Sequence, residues 1–167
     1  FDSDTPSEYV KKYEKYPNLH FLSGISWQQL ESLYKTTDIF LFPLLQDSFA
    51  VFLECLAYQI PIVTTDVWDI PEKVDHEKTG LVVHSPISLF DEGFITRWKN
   101  PSEFIDVVKH THFQKFVENF AKETERLIND TSLQRKIRRN CYSTITKGKF
   151  SIKRRNDALK EIYQSAI

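Results

Sequence analysis

Apolar and polar positions change their spacing along the chain, and each change predicts an element. Residues 7–16 (SEYVKKYEKY) follow Pro6 with a helical pattern and read as a short amphipathic helix. The apolar run 19–22 (LHFL) ends at Ser23-Gly24 and predicts a strand followed by a turn. Ser26 with Gln29 three residues on forms a capping-box pair, and Leu30, Leu33 and Tyr34 continue a helix that Thr36 and Thr37 end. Residues 39–45 (IFLFPLL) are continuously apolar, as a strand covered on both faces would be. A helix over about 49–59, a buried strand over 60–63 (IPIV) and a fourth strand over 81–83 (LVV) follow.

Strands and helices in this alternation require parallel pairing, because each crossover must carry the chain back across a face of the sheet. The fold class is therefore α/β, a Rossmann-like parallel sheet with flanking helices. From Pro101 the pattern turns wholly helical. Phe104, Val107 and Val108, then Phe113, Phe116, Val117, Phe120 and Leu127, keep a three-to-four spacing that predicts two helices broken near His112. Leu133, Ile137, Cys141 and Ile145 mark another helix, and Ile152, Leu159, Ile162, Tyr163 and Ala166 a last one capped by Ser151. Residues 84–100 fit no period and read as a long loop. The expected organisation is one domain over 1–167, with an α/β part over 1–100 and a helical part over 101–167.

Composition narrows the chemistry. Four glycines, none adjacent, exclude the dinucleotide fingerprint and the P-loop. A net charge of −1 excludes whole-molecule attraction to nucleic acid, and no interleaved basic-aromatic motif supports it locally. The two cysteines, Cys55 and Cys141, lie in apolar helical contexts far apart in sequence, which makes neither a disulfide framework nor a zinc site and suits a reducing, cytoplasmic compartment. No run approaches the ~18 apolar residues of a membrane span. The chain lacks methionine and opens on Phe1, so a piece of a longer protein is expected.

In an open parallel sheet, ligands sit beyond the carboxyl ends of the strands. Here that crevice would be built from 23–26, 43–49, 64–71 and 84 onward. The helix after the 39–45 strand would aim its amino end into it, and unpaired N–H groups there suit phosphate. Asp47 and Ser48 also fit plain N-cap roles. Glu54 is the sharper signal, since its helical neighbours Ala50, Val51, Ala57 and Tyr58 are mostly apolar. No Lys or Arg occurs between Lys35 and Lys73. A carboxylate so placed either accepts from two sugar hydroxyls, or finds a distant lysine or backbone donor, or reaches out at the helix end.

These residues carry a family resemblance. Asp47-Ser48-Phe49-Ala50, Glu54-Cys55-Leu56-Ala57, Pro61-Ile62-Val63, Pro71-Glu72 and Thr79-Gly80-Leu81 stand in order, and the segment resembles the donor-binding half of GT-B fold retaining glycosyltransferases, family-4-like, group 1. Residues 17–83 match well and the C-terminal helix loosely. The resemblance implies a truncated Rossmann-like half-domain, lacking its first strands, from a hexosyltransferase-like enzyme. Such an enzyme moves a sugar from a nucleoside diphosphate sugar to an acceptor with retention of configuration. It implies catalytic roles for Asp47 and Glu54, the first on hydroxyls of the transferred sugar and the second on the ribose. Phe49 and Ala50 would cradle the diphosphate with backbone amides. Ser23, Gly24 and Ile25 would border the base, with Gln46 and Ser48 also lining the donor site. It implies no cofactor and no obligatory metal. The fragment alone would not turn over.

Two positions depart from the family pattern. Counting back from Glu54 by the family's spacing lands on Gln46, whereas the Ser-Phe match lands on Asp47, one residue short. Ala50 replaces a glycine. Both favour the alternative, a non-catalytic α/β interaction module with a degenerate nucleotide-sugar site. Residues 135–160 hold ten Lys and Arg against one acid, which reads as a solvated face or as a peripheral contact with an anionic membrane or lipid diphosphate. His110 and His112 fall on nearly opposite sides of a helix and make no metal pair. Trp68 and Trp98 read as core or interface. A homodimer through an open sheet edge is also expected. The acceptor (glycan, lipid or small molecule) has no signature.

Overall fold

A computed structural model describes residues 7–45, 49–88 and 100–166. The chain forms two compact units, Phe1–Lys35 and Thr36–Ile167.

The first unit carries α1 (Ser7–Tyr13) and most of α2 (Trp27–Thr36). α2 opens on the foreseen capping box: Gln29 N–H donates to Ser26 Oγ at 3.3 Å, and Ser26 N–H to Gln29 Oε1 at 2.8 Å. The strand foreseen over 19–22 does not form; these residues are irregular and enter no ladder. A short run becomes a strand only when another edge takes its backbone groups, and residues 19–22 have no such ladder partner among the described residues.

The second unit holds a three-stranded parallel sheet in the order β1 (Phe40–Phe42), β2 (Ile62–Thr65), β3 (Gly80–Val83). Helix α3 (Phe49–Ala57) connects β1 to β2, and the four-residue α4 (Ile70–Lys73) lies between β2 and β3. The strands do not coincide with the apolar runs: β1 stops before Pro43, β2 is shifted two residues beyond the IPIV run, and β3 gains Gly80 ahead of LVV. β2 is buried at every residue, as a central strand covered on both faces should be. Its two threonines spend their hydroxyls on neighbouring carbonyls, Thr64 Oγ1 on Phe42 O at 3.0 Å and Thr65 Oγ1 on Leu44 O at 2.7 Å. Gly80, paired with Ile62, has no room for a side chain: a Cβ there would stand 2.7 Å from Ile62 O and from Val74 Cγ1.

The helical region shares this core. α5 (Pro101–His110), α6 (Gln114–Asn129), α7 (Thr131–Thr146) and α8 (Ile152–Ser165) follow the foreseen pattern, including the break near His112. α6 lies on β2 and β3, and α7 packs on α3 and α6. Leu56, Val63, Leu81, Phe120, Leu127, Ile137 and Cys141 form one buried cluster across sheet, α3, α6 and α7. α8, with no buried residue, stands outside it. Two of the ten basic residues tie elements together. Arg138 donates to Asp38 O at 2.9 Å and to Gln59 O at 3.3 Å, and Lys149 bonds Glu72 O.

Candidate functional site

Three strand exits lie side by side at the carboxyl edge of the sheet. After β1 the chain runs through Pro43, Leu44 and Leu45. Gln46, Asp47 and Ser48 lie outside the described residues, and α3 begins at Phe49. The bond from Thr65 to Leu44 O fastens the start of this segment to the end of β2. α3 closes on a left-handed Gln59 at φ 59°, with Gln59 N–H on Leu56 O at 3.1 Å and Ile60 N–H on Cys55 O at 2.8 Å.

The sequence predicts a helix buried nearly all round, but α3 is buried on one face only. Phe52, Cys55 and Leu56 are fully enclosed, whereas Ala50 and Ala57 are exposed on the opposite side, with the half-buried Glu54 between them. Small residues leave that outer face open, so Glu54 escapes much of the desolvation that full burial would impose. Its charge is still felt inside. Burial pushes the Cys55 thiol up to about 12, and the Glu54 carboxylate and Cys141 add to that shift. Ser23, Gly24 and Ile25 belong to the first unit, where Gly24 takes φ 60°, a turn that suits glycine. Among the foreseen site residues, the structure gathers Phe49, Ala50 and Glu54 on one helix.

The sequence placed 64–71 and 84 onward in the crevice but singled out no site residue beyond β2 and β3. Asp66 binds the exit of β3 twice: its Oδ1 accepts from Ser85 N–H at 2.8 Å and its Oδ2 lies 2.5 Å from His84 Nδ1. Asp69 meets Lys73 Nζ at 2.8 Å; Lys73 is 2% exposed, with its ammonium 5.7 Å from the Phe52 ring centre. Between these two carboxylates, Trp68 has φ 55° and is 39% exposed, so it is neither core nor relaxed backbone. A bulky residue in the left-handed region costs about 1–3 kcal/mol. The signal for this cluster was the acid-rich exit TDVWD, in which no single residue has helical or strand spacing. Among the described residues no group of three or more His, Cys, Asp and Glu gathers as for a metal ion.

A parallel sheet with helical crossovers, and a helix opening at its carboxyl edge, defines a Rossmann-like α/β domain of the kind that binds ligands at strand exits. Comparison with known families is specific: the profile of glycosyl transferases group 1 matches residues 2–103. The chain belongs to that family. It is also 26% identical over 110 residues to a protein named uncharacterized glycosyltransferase MJ1607, from Methanocaldococcus jannaschii. That alignment covers 62% of this chain and 28% of the relative, so the chain corresponds to less than a third of that protein's length.

Proposed function

We propose that the chain is the donor-binding part of a glycosyltransferase that takes a sugar from a nucleoside diphosphate sugar and passes it on with retention at the anomeric carbon. The observation that carries this reading is Glu54 on the outer face of α3, in a chain of the group 1 family. Glu54 lies five residues past the start of α3, about 7.5 Å along the axis. A diphosphate against the first amides of α3 therefore leaves a ribose within reach of the Glu54 carboxylate. The charge-assisted bonds a carboxylate accepts from two vicinal hydroxyls favour a sugar over other polar ligands.

On this reading Asp47, or Gln46 by the family's spacing, holds hydroxyls of the transferred sugar, with Ser48 beside it. The amides of Phe49 and Ala50 receive the diphosphate. Reaction is helped electrostatically as negative charge builds on the departing diphosphate, with no obligatory metal. The cell compartment that fits two buried free thiols is the cytoplasm. Peripheral contact with an anionic surface through 135–160 goes with the basic, outward side chains of α7 and α8.

A second reading is a binding module that keeps the fold and has lost the donor. Ala50 supports it, since its methyl stands where close backbone approach to phosphate is needed. Calorimetric titration of the protein with uridine, guanosine and adenosine diphosphate sugars separates the two. Saturable binding of one of them is expected for the transferase, and no heat with any of the three for the degenerate module.

A further inference from the structure

We infer that Trp68 is a stacking platform for the sugar ring of the donor, an inference that rests on the nucleotide-sugar reading above. Three observations converge on this residue. Its backbone is held at φ 55°, a conformation that L side chains rarely adopt and that persists only where the surroundings over-determine it. The restraints come from different parts of the fold. Asp66, two residues before it, is locked to the exit of β3 by Ser85 N–H and His84. Asp69, one residue after it, is locked to the enclosed Lys73 ammonium of α4. The intervening Val67 is 2% exposed and plugs the loop into the core, and its carbonyl accepts from Ile70 N–H at 3.2 Å. Yet the side chain so carefully fixed is 39% exposed. Anchoring of this kind fixes the position of a ring without burying it.

Location and chemistry supply the ligand class. Thr65 fastens the exit of β2 to Leu44, so the Trp68 loop begins one strand spacing, about 4.8 Å, from the segment that leads to the amino end of α3. A sugar joined to a diphosphate at that helix end stands between the two exits. One face of a pyranose presents a patch of C–H groups with slight positive polarity, and an indole presents a broad, electron-rich face that such a patch fits. The hydroxyls at the rim of the ring then remain available to carboxylates and amides around it. A few fixed polar groups beside a rigid aromatic wall are the usual composition of a small-molecule site.

The test compares two ligands on the same proteins. Wild type, Trp68→Phe, Trp68→Ala and Trp68→Gly are titrated with each nucleoside diphosphate sugar and with the matching nucleoside diphosphate, and circular dichroism checks their fold. Trp68→Gly is included because glycine takes φ 55° without penalty, so that variant keeps the loop backbone unstrained. We expect Ala and Gly to bind the nucleotide sugar about tenfold more weakly, Phe to keep most of the affinity, and all to bind the nucleoside diphosphate as wild type does. Equal weakening for both ligands would assign Trp68 a merely structural part and overturn the inference. Unchanged sugar affinity in Ala and Gly would overturn it while leaving the donor site standing. A wild type that binds neither ligand would remove the donor site, and this inference with it.

Discussion

Glu54 and Cys55 are neighbours in sequence and opposites in environment, because the rotation of about 100° from one helical residue to the next carries the chain from an open face to a closed one. Cys55 lies on α3 and Cys141 on α7, two helices that pack together, and burial pushes both thiols up to about 12. An unfolded chain releases those protons from an ordinary value near 9.0, whereas the folded chain retains them. The stability linked to the thiols is thus fully present below about pH 9 and is lost as pH rises towards 12. Chemical denaturation at pH 8, 9.5 and 10.5 should show that decline. At pH 8 the native thiols should resist iodoacetamide and react only on unfolding; rapid native alkylation would contradict the packing. Ile137, wholly enclosed in the same cluster, should cost about 2–5 kcal/mol when replaced by alanine, as read from urea midpoints.

At the scale of elements, helix ends are where local chemistry decides most. Ser151 Oγ accepts from Arg154 N–H at 3.3 Å and caps α8, and Ser151→Ala should lower stability by about 1 kcal/mol in thermal unfolding. Asp130 caps α7 through Leu133 N–H, and that bond, with Ser132 Oγ–H, holds its carboxyl below the ordinary carboxylate range. Arg126 likewise holds Glu77 low through a side-chain hydrogen bond. Both groups favour the folded state above the usual carboxylate range, and that contribution is lost as pH falls through their lowered values. Ser26, Ser151 and the helical spacing from Pro101 onward were legible in the sequence because caps and amphipathic faces are local properties. The 19–22 strand was misread because pairing is not local: LHFL has strand composition, yet these residues enter no ladder. α4 went unseen because four residues contain no period. The one-sided burial of α3 depends on what α7 and the sheet cover, which FAVFLECLA does not state.

For the whole molecule, the candidate site was legible as an order of motifs and illegible as a surface. Phe49, Ala50 and Glu54 share the single helix α3, whereas the fastened loop around Trp68 emerges only when β2, β3 and α4 are assembled. Among the described residues β1 pairs with β2 alone, and beside it Leu41, Pro43, Phe116 and Phe120 line an apolar groove of about 440 Å³. An unpaired, apolar edge predicts self-association. Sedimentation velocity should show a concentration-dependent dimer, and a strictly monomeric profile at high concentration would contradict it. The central claim, however, concerns the outer face of α3. It is tested most directly by calorimetry of the nucleoside diphosphate sugar that binds, comparing wild type with Glu54→Ala. The account predicts a loss of roughly tenfold or more, the worth of hydrogen bonds to a charged group. Equal affinity in the two proteins would contradict it.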